Sequence, residues 1–84
     1  MQIVYTKHAI QRLLLRGISK KKVNLAIDDS DYKERGVSGA TIYYRDFGKN
    51  YLKVITQITG NKIIIITLHW VDAKRVKFKK VIKM

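Results

Sequence analysis

Two histidines and a set of spaced arginines and lysines are the residues of this 84-residue chain that could do chemistry. His8 stands one and two helical turns ahead of Arg12 and Arg16 in "HAIQRLLLR", and His69 ends the strand-like run "IIIITLHW" beside Trp70. An imidazole works as a general acid or base near neutral pH, and cations around it hold a phosphate and take up developing charge. Each histidine also has a plainer reading, His8 packing on Tyr5 and His69 belonging to a central strand, and the sequence leaves both open. The stretch "GISKKKV" adds Lys20, Lys21 and Lys22 where a helix opening after Ser19 would favour acidic residues. Such lysines suit a phosphate held on the free N–H groups of the helix start. They also suit a solvated face, since three in a row fan across about 200° and at most two address one ligand.

Further along, Arg45 and Lys53 are candidates for polarising a phosphate, and Tyr43 and Tyr51 interleave with them in a way that suits base stacking. Aromatics in strands are also ordinary sheet formers. The tail "KRVKFKKVIKM", beginning at Lys74 and Arg75, carries six cations in eleven residues, which serves either polyanion binding or protection of a sheet edge. Asp28, Asp29, Asp31 and Glu34 match no metal-ligand spacing, there is no cysteine, and no glycine-rich nucleotide loop or serine nucleophile motif is visible. No metal and no cofactor is expected.

The elements that must position these residues follow from local signals. Gln2 to Tyr5 reads as a short strand, and Thr6 as the N-cap of a helix that runs to Arg16 and stops at Gly17. Its dry side is Ala9, Ile10, Leu13 and Leu14; His8, Arg12 and Arg16 form a cationic ridge across from it, with Leu15 also outward. Ile18 and Ser19 open a second helix striped by Val23, Ala26 and Ile27. From Tyr32 the period becomes two, giving strands Tyr32 to Gly36, Ala40 to Phe47, Tyr51 to Ile58 and Lys62 to Val71. The expected fold is α+β: strand, helix, helix, then four antiparallel strands, with both helices packed on one face of the sheet. A three-residue loop Gly48-Lys49-Asn50, with Asn50 left-handed, pairs Arg45 with Lys53. It puts Ile42, Tyr44, Val54 and Thr56 toward the core and Tyr43, Arg45, Lys53 and Gln57 on the open face. For the next hairpin, a two-residue loop sends His69 to the core and a three-residue loop sends it to the open face beside Lys53.

The totals bound the rest. Eighteen Lys and Arg against six Asp and Glu leave a formal charge of +12, which calls for an acidic partner, nucleic acid first. A chain rich in Lys and Ile is also what an AT-rich genome writes. Residues 1–84 read as one domain with a basic strand or tail at 72–84. No secretory leader and no membrane-spanning run is read, so a cytoplasmic protein without membrane contact is expected.

The order of elements in a small basic chain resembles the RelE and ParE toxin superfamily, BrnT-type toxins included. Locally, "HAIQRLLLRGIS" followed by "VNLAI" is similar to the His-Ala-x-x-Arg-x-x-x-Arg-Gly-Ile-Ser pattern of a widespread family of small bacterial, archaeal and viral proteins. The resemblance makes His8, Arg12, Arg16 and Gly17 signature positions. It implies a RelE-like fold and RNA, including message on the ribosome, as substrate. Cleavage would need no metal and would use His8, Arg45, Lys53 and His69, while an acidic antitoxin covers the site. Not every member of the superfamily cuts RNA, so a nucleic-acid-binding module without chemistry is the alternative. Charge does not separate RNA from DNA, and the oligomer is not read.

Overall fold

Thr6 caps the first helix, as its type and position predict. In the computed structural model, which describes residues 2–72, its Oγ1 accepts the Ala9 N–H at 3.1 Å, and strand β1 (Gln2–Tyr5) passes directly into helix α1 (Lys7–Arg16). Gly17 ends α1 with a φ of 62° and returns its N–H to the carbonyls of Leu13 and Leu14. Nothing lies within 4 Å of where its Cβ would stand, so left-handed backbone, not crowding, selects glycine there. Ile18 then turns into the core at 5% exposure, and Ser19 Oγ accepts the Lys22 N–H to start α2 (Lys20–Asp28).

Strands β2 (Tyr32–Arg35), β3 (Thr41–Asp46), β4 (Asn50–Thr59) and β5 (Lys62–Asp72) complete the α+β fold. The five strands form one mixed sheet in the order β1-β5-β4-β3-β2, with β1 parallel to β5 and the other pairings antiparallel. One face carries the core, where Ala9, Leu13, Val23 and Ala26 of the helices meet Leu52, Val54, Ile65 and Leu68. Each Leu, Ile or Val buried this way contributes about 1.5 to 3 kcal/mol. Leu14 does not share this core: it is 79% exposed, because α1 meets the sheet through a narrow stripe of Ala9 and Leu13. Leu15 points outward as expected. The basic tail, with Lys74 and Arg75, lies outside the described residues.

The β3–β4 hairpin corrects the expected register. Gly48, with φ 101°, takes the left-handed position rather than Asn50. Phe47 N–H donates to Asn50 O at 3.0 Å, and Asp46 Oδ1 accepts the Gly48 N–H at 2.8 Å. Asp46 therefore pairs with Tyr51, Arg45 with Leu52, and Tyr44 with Lys53. A slip of one residue turns every side chain of β3 over. Tyr43 and Arg45 face the helices, while Ile42 and Tyr44 lie on the opposite face; Val54 and Lys53 keep the sides expected of them.

The β4–β5 hairpin resolves the question about His69 by a route the sequence does not show. Its loop is the two-residue Gly60-Asn61, with Thr59 paired to Lys62, which alone would align Lys53 with Leu68 and send His69 to the core. A β-bulge intervenes: Thr56 pairs with Ile65 but Ile55 pairs with Thr67, leaving Ile66 as an extra residue in β5. Beyond it, Lys53 stands opposite His69. Thr6 fastens the bulge, its N–H donating to Ile65 O at 3.1 Å and its hydroxyl to Ile66 O at 3.0 Å. One threonine thus caps α1 and ties it to the displaced part of β5. Replacing Thr6 by Val should cost about 1 to 2 kcal/mol of stability, and by Ser much less. Urea unfolding checks this, and equal losses in the two variants would contradict the role of the hydroxyl.

Candidate functional site

The bulge places His69 and Lys53 side by side on the sheet face that points away from the main core. Partial burial lowers the proton affinity of His69, and the charges of Lys53, Arg12 and Arg16 push in the same direction. Burial and the neighbouring positive charges thus both oppose protonation of the imidazole. Arg12 and Arg16 lie on α1, which packs along β5, near enough for their charges to act on the imidazole. Arg12 Nε also donates to His8 Nε2 at 3.4 Å, which brings the second histidine into the row. Five residues singled out in the sequence, His8, Arg12, Arg16, Lys53 and His69, thus belong to one cationic cluster. Such a cluster holds a phosphate group and offers a free base beside it.

Other candidates lie elsewhere. Arg45 faces the helices, where its Nη1 donates to the carbonyl of Asp29 at 2.8 Å and to Asp29 Oδ2 at 2.9 Å. Tyr43 is 5% exposed and packs in the main core. Tyr51, also 5% exposed, lies on the same face as His69 but packs against Tyr44. Neither ring is open to a base. Lys20 and Lys22 lie over aromatic rings: Lys20 Nζ is 5.1 Å from the centre of Tyr5, and Lys22 Nζ is 5.6 Å from both Phe47 and Trp70. Lys21 is exposed on the first turn of α2.

The acidic residues serve local structure. Asp29 holds Arg45, Asp31 Oδ2 accepts the Asp46 N–H at 2.7 Å, and Glu34 accepts the Tyr44 hydroxyl at 2.6 Å. Burial, followed by that bond to Glu34, raises the proton affinity of the Tyr44 phenol well above its ordinary range. Among the described residues no three His, Cys, Asp or Glu side chains gather in a way that could hold a metal ion, and no helix is long and apolar enough to cross a membrane.

Sequence reasoning passed over two features. Thr6 reads as a cap, but nothing in its neighbourhood announces a bond to residue 66. The pairing of Phe47 with Trp70, 5.9 Å apart and edge to face, had a partial signal: Trp70 directly follows His69 in a strand, so the two must point to opposite faces.

In an NMR pH titration His69 should show a midpoint below the ordinary imidazole value of about 6.5, and Lys53→Gln should raise it. The unfolded chain then binds the proton more readily than the folded one, so stability falls as pH drops through about 6.5, and less steeply in that variant. A native midpoint at or above 6.5 would contradict the arrangement.

No curated protein and no solved structure matches the chain. A family model described as a domain of unknown function, DUF4258, matches residues 5–70, the span from the end of β1 to Trp70 that contains the whole cluster, and the chain belongs to that family.

Proposed function

We propose that this protein binds the sugar-phosphate backbone of RNA at the His69 cluster and cleaves it without a metal. The observation that carries the reading is Lys53 standing opposite His69 across the β4–β5 pairing, with Arg12 and Arg16 of α1 near enough for their charges to lower its proton affinity. Cations alone would suit any polyanion, but a neutral imidazole among them can also take a proton from a ribose 2′-OH. In the proposed reaction His69 accepts that proton and the 2′-oxygen attacks phosphorus. Arg12, Arg16 and Lys53 take up charge on the phosphoryl oxygens, and the 5′-oxygen leaves with a proton from the Lys53 ammonium. The products are a 2′,3′-cyclic phosphate and a free 5′-hydroxyl. His8, held by Arg12, orients that arginine. The likeness in element order to the RelE, ParE and BrnT toxins belongs to this reading, as do ribosome-bound message as substrate, an acidic antitoxin as partner, and the cytoplasm as its place.

A second reading, a binding module without chemistry, is favoured by the position of Arg45. Tied to Asp29 on the helix side, it leaves the cluster without one of its expected clamps. DNA and RNA would then bind alike.

Purified protein incubated with single-stranded RNA in EDTA separates the two. Cleavage that His69→Ala abolishes, that Arg12→Ala or Lys53→Ala reduces by about tenfold or more, and that Arg45→Ala leaves nearly intact supports the reaction. Binding without cleavage, with affinity falling by about 0.7 log unit per log unit of salt for each phosphate neutralised, supports the module. Affinity insensitive to salt would remove both.

A further inference from the structure

The sheet face opposite the His69 cluster carries an aromatic corner that the proposed function does not use. Trp70 follows His69 on β5 and points to the helix side, where it meets Phe47 edge to face. Both rings are only partly buried. Lys22 Nζ lies over both, and the Arg45 guanidinium lies 5.3 Å from the centre of Phe47. Cations therefore already approach these π faces.

The corner and the cluster are connected through the chain. Arg16, the last residue of α1, acts on His69; Lys22, six residues later, lies over Trp70. Strand β1 accompanies β5 only as far as Ile65, and among the described residues no other strand pairs with the outer side of β5 where His69 and Trp70 sit.

We infer that the Phe47–Trp70 corner receives one unpaired nucleobase of the RNA strand whose backbone occupies the His69 cluster. The inference rests on the proposed RNA binding and adds to it a second contact of different chemistry. A base laid on the part of the indole that Lys22 covers displaces its ammonium, a cation–π contact near the surface being the weaker of the two, and the freed ammonium pairs with the adjacent phosphate. Because stacking uses a π face common to all bases, the corner selects single-stranded over duplex RNA and not one base over another.

Trp70 is the chain's only tryptophan, so its emission reports on this corner in the native protein. The experiment titrates the protein with end-labelled oligoadenylate of about eight nucleotides, following binding by anisotropy and Trp70 by fluorescence, with inorganic polyphosphate as an unlabelled polyanion control. The expected result is quenching of Trp70 by the oligonucleotide in step with binding. Polyphosphate should displace the labelled strand while leaving the emission unchanged. Lys22→Gln should keep the quenching, whereas Phe47→Leu should weaken oligoadenylate binding by about tenfold and polyphosphate binding hardly at all. Oligonucleotide binding with no change in Trp70 emission overturns the inference and leaves the proposed function standing, as does equal quenching by polyphosphate. Absence of binding by anisotropy removes both.

Discussion

The surplus residue in β5 decides which chemistry this fold can present. A strand alternates its side chains, so everything after the two-residue turn at Gly60 and Asn61 has its side fixed unless the count is broken. Ile66 breaks it, and His69 moves from the helix face to the face of Lys53. A bulge leaves one residue out of the ladder, and the Ile66 carbonyl would lack a strand partner. The Thr6 hydroxyl supplies one, and the same oxygen accepts from Ala9 to begin α1. The helix that carries Arg12 and Arg16 is therefore anchored at the point where β5 changes phase. Histidine and lysine are brought side by side by one extra isoleucine, and one threonine fixes the arginine-bearing helix to that point.

The charges show why this cluster matters more than the chain's overall basicity. Few acidic residues are available, and Asp29, Glu34, Asp31 and Asp46 work locally, on a guanidinium, a phenol and backbone N–H groups. Near His69 the like charges remain close enough to depress protonation of the imidazole. An isolated surface lysine costs little because water screens it. Cations near a half-buried imidazole are a different matter, since burial weakens the screening between them, and in the proposed function an incoming anion relieves that repulsion.

Features governed by nearest neighbours were legible in the sequence. Thr6, Gly17 and Ser19 mark helix boundaries because capping is settled within three or four residues, and the ridge of His8, Arg12 and Arg16 follows from helical spacing alone. Strand register was not legible. Tyr43 and Tyr44 are both aromatic, so the pattern of β3 does not say which faces the helices, and the choice passed to the turn, where Gly48 and Asn50 compete for the left-handed position. The run from Ile63 to Ile66 is apolar on both sides and hides a bulge completely. Arg45 was misplaced because its partner, Asp29, is remote in sequence and belongs to the other layer. Each failure concerns a long-range pairing that local composition leaves degenerate.

The three lysines that open α2 show how a local oddity can mislead. Each opposes the helix dipole at a cost of about 0.3 to 1 kcal/mol, which suggested a phosphate site at that terminus. An exposed cation–π contact returns about 0.5 to 1 kcal/mol. Lys20 over Tyr5, and Lys22 over Phe47 and Trp70, therefore offset most of what they cost, without any ligand. Lys53 makes the same kind of contact, its Nζ 5.8 Å from the centre of Tyr44, so what distinguishes the sheet is the imidazole beside it, whose protonation Lys53, Arg12 and Arg16 oppose.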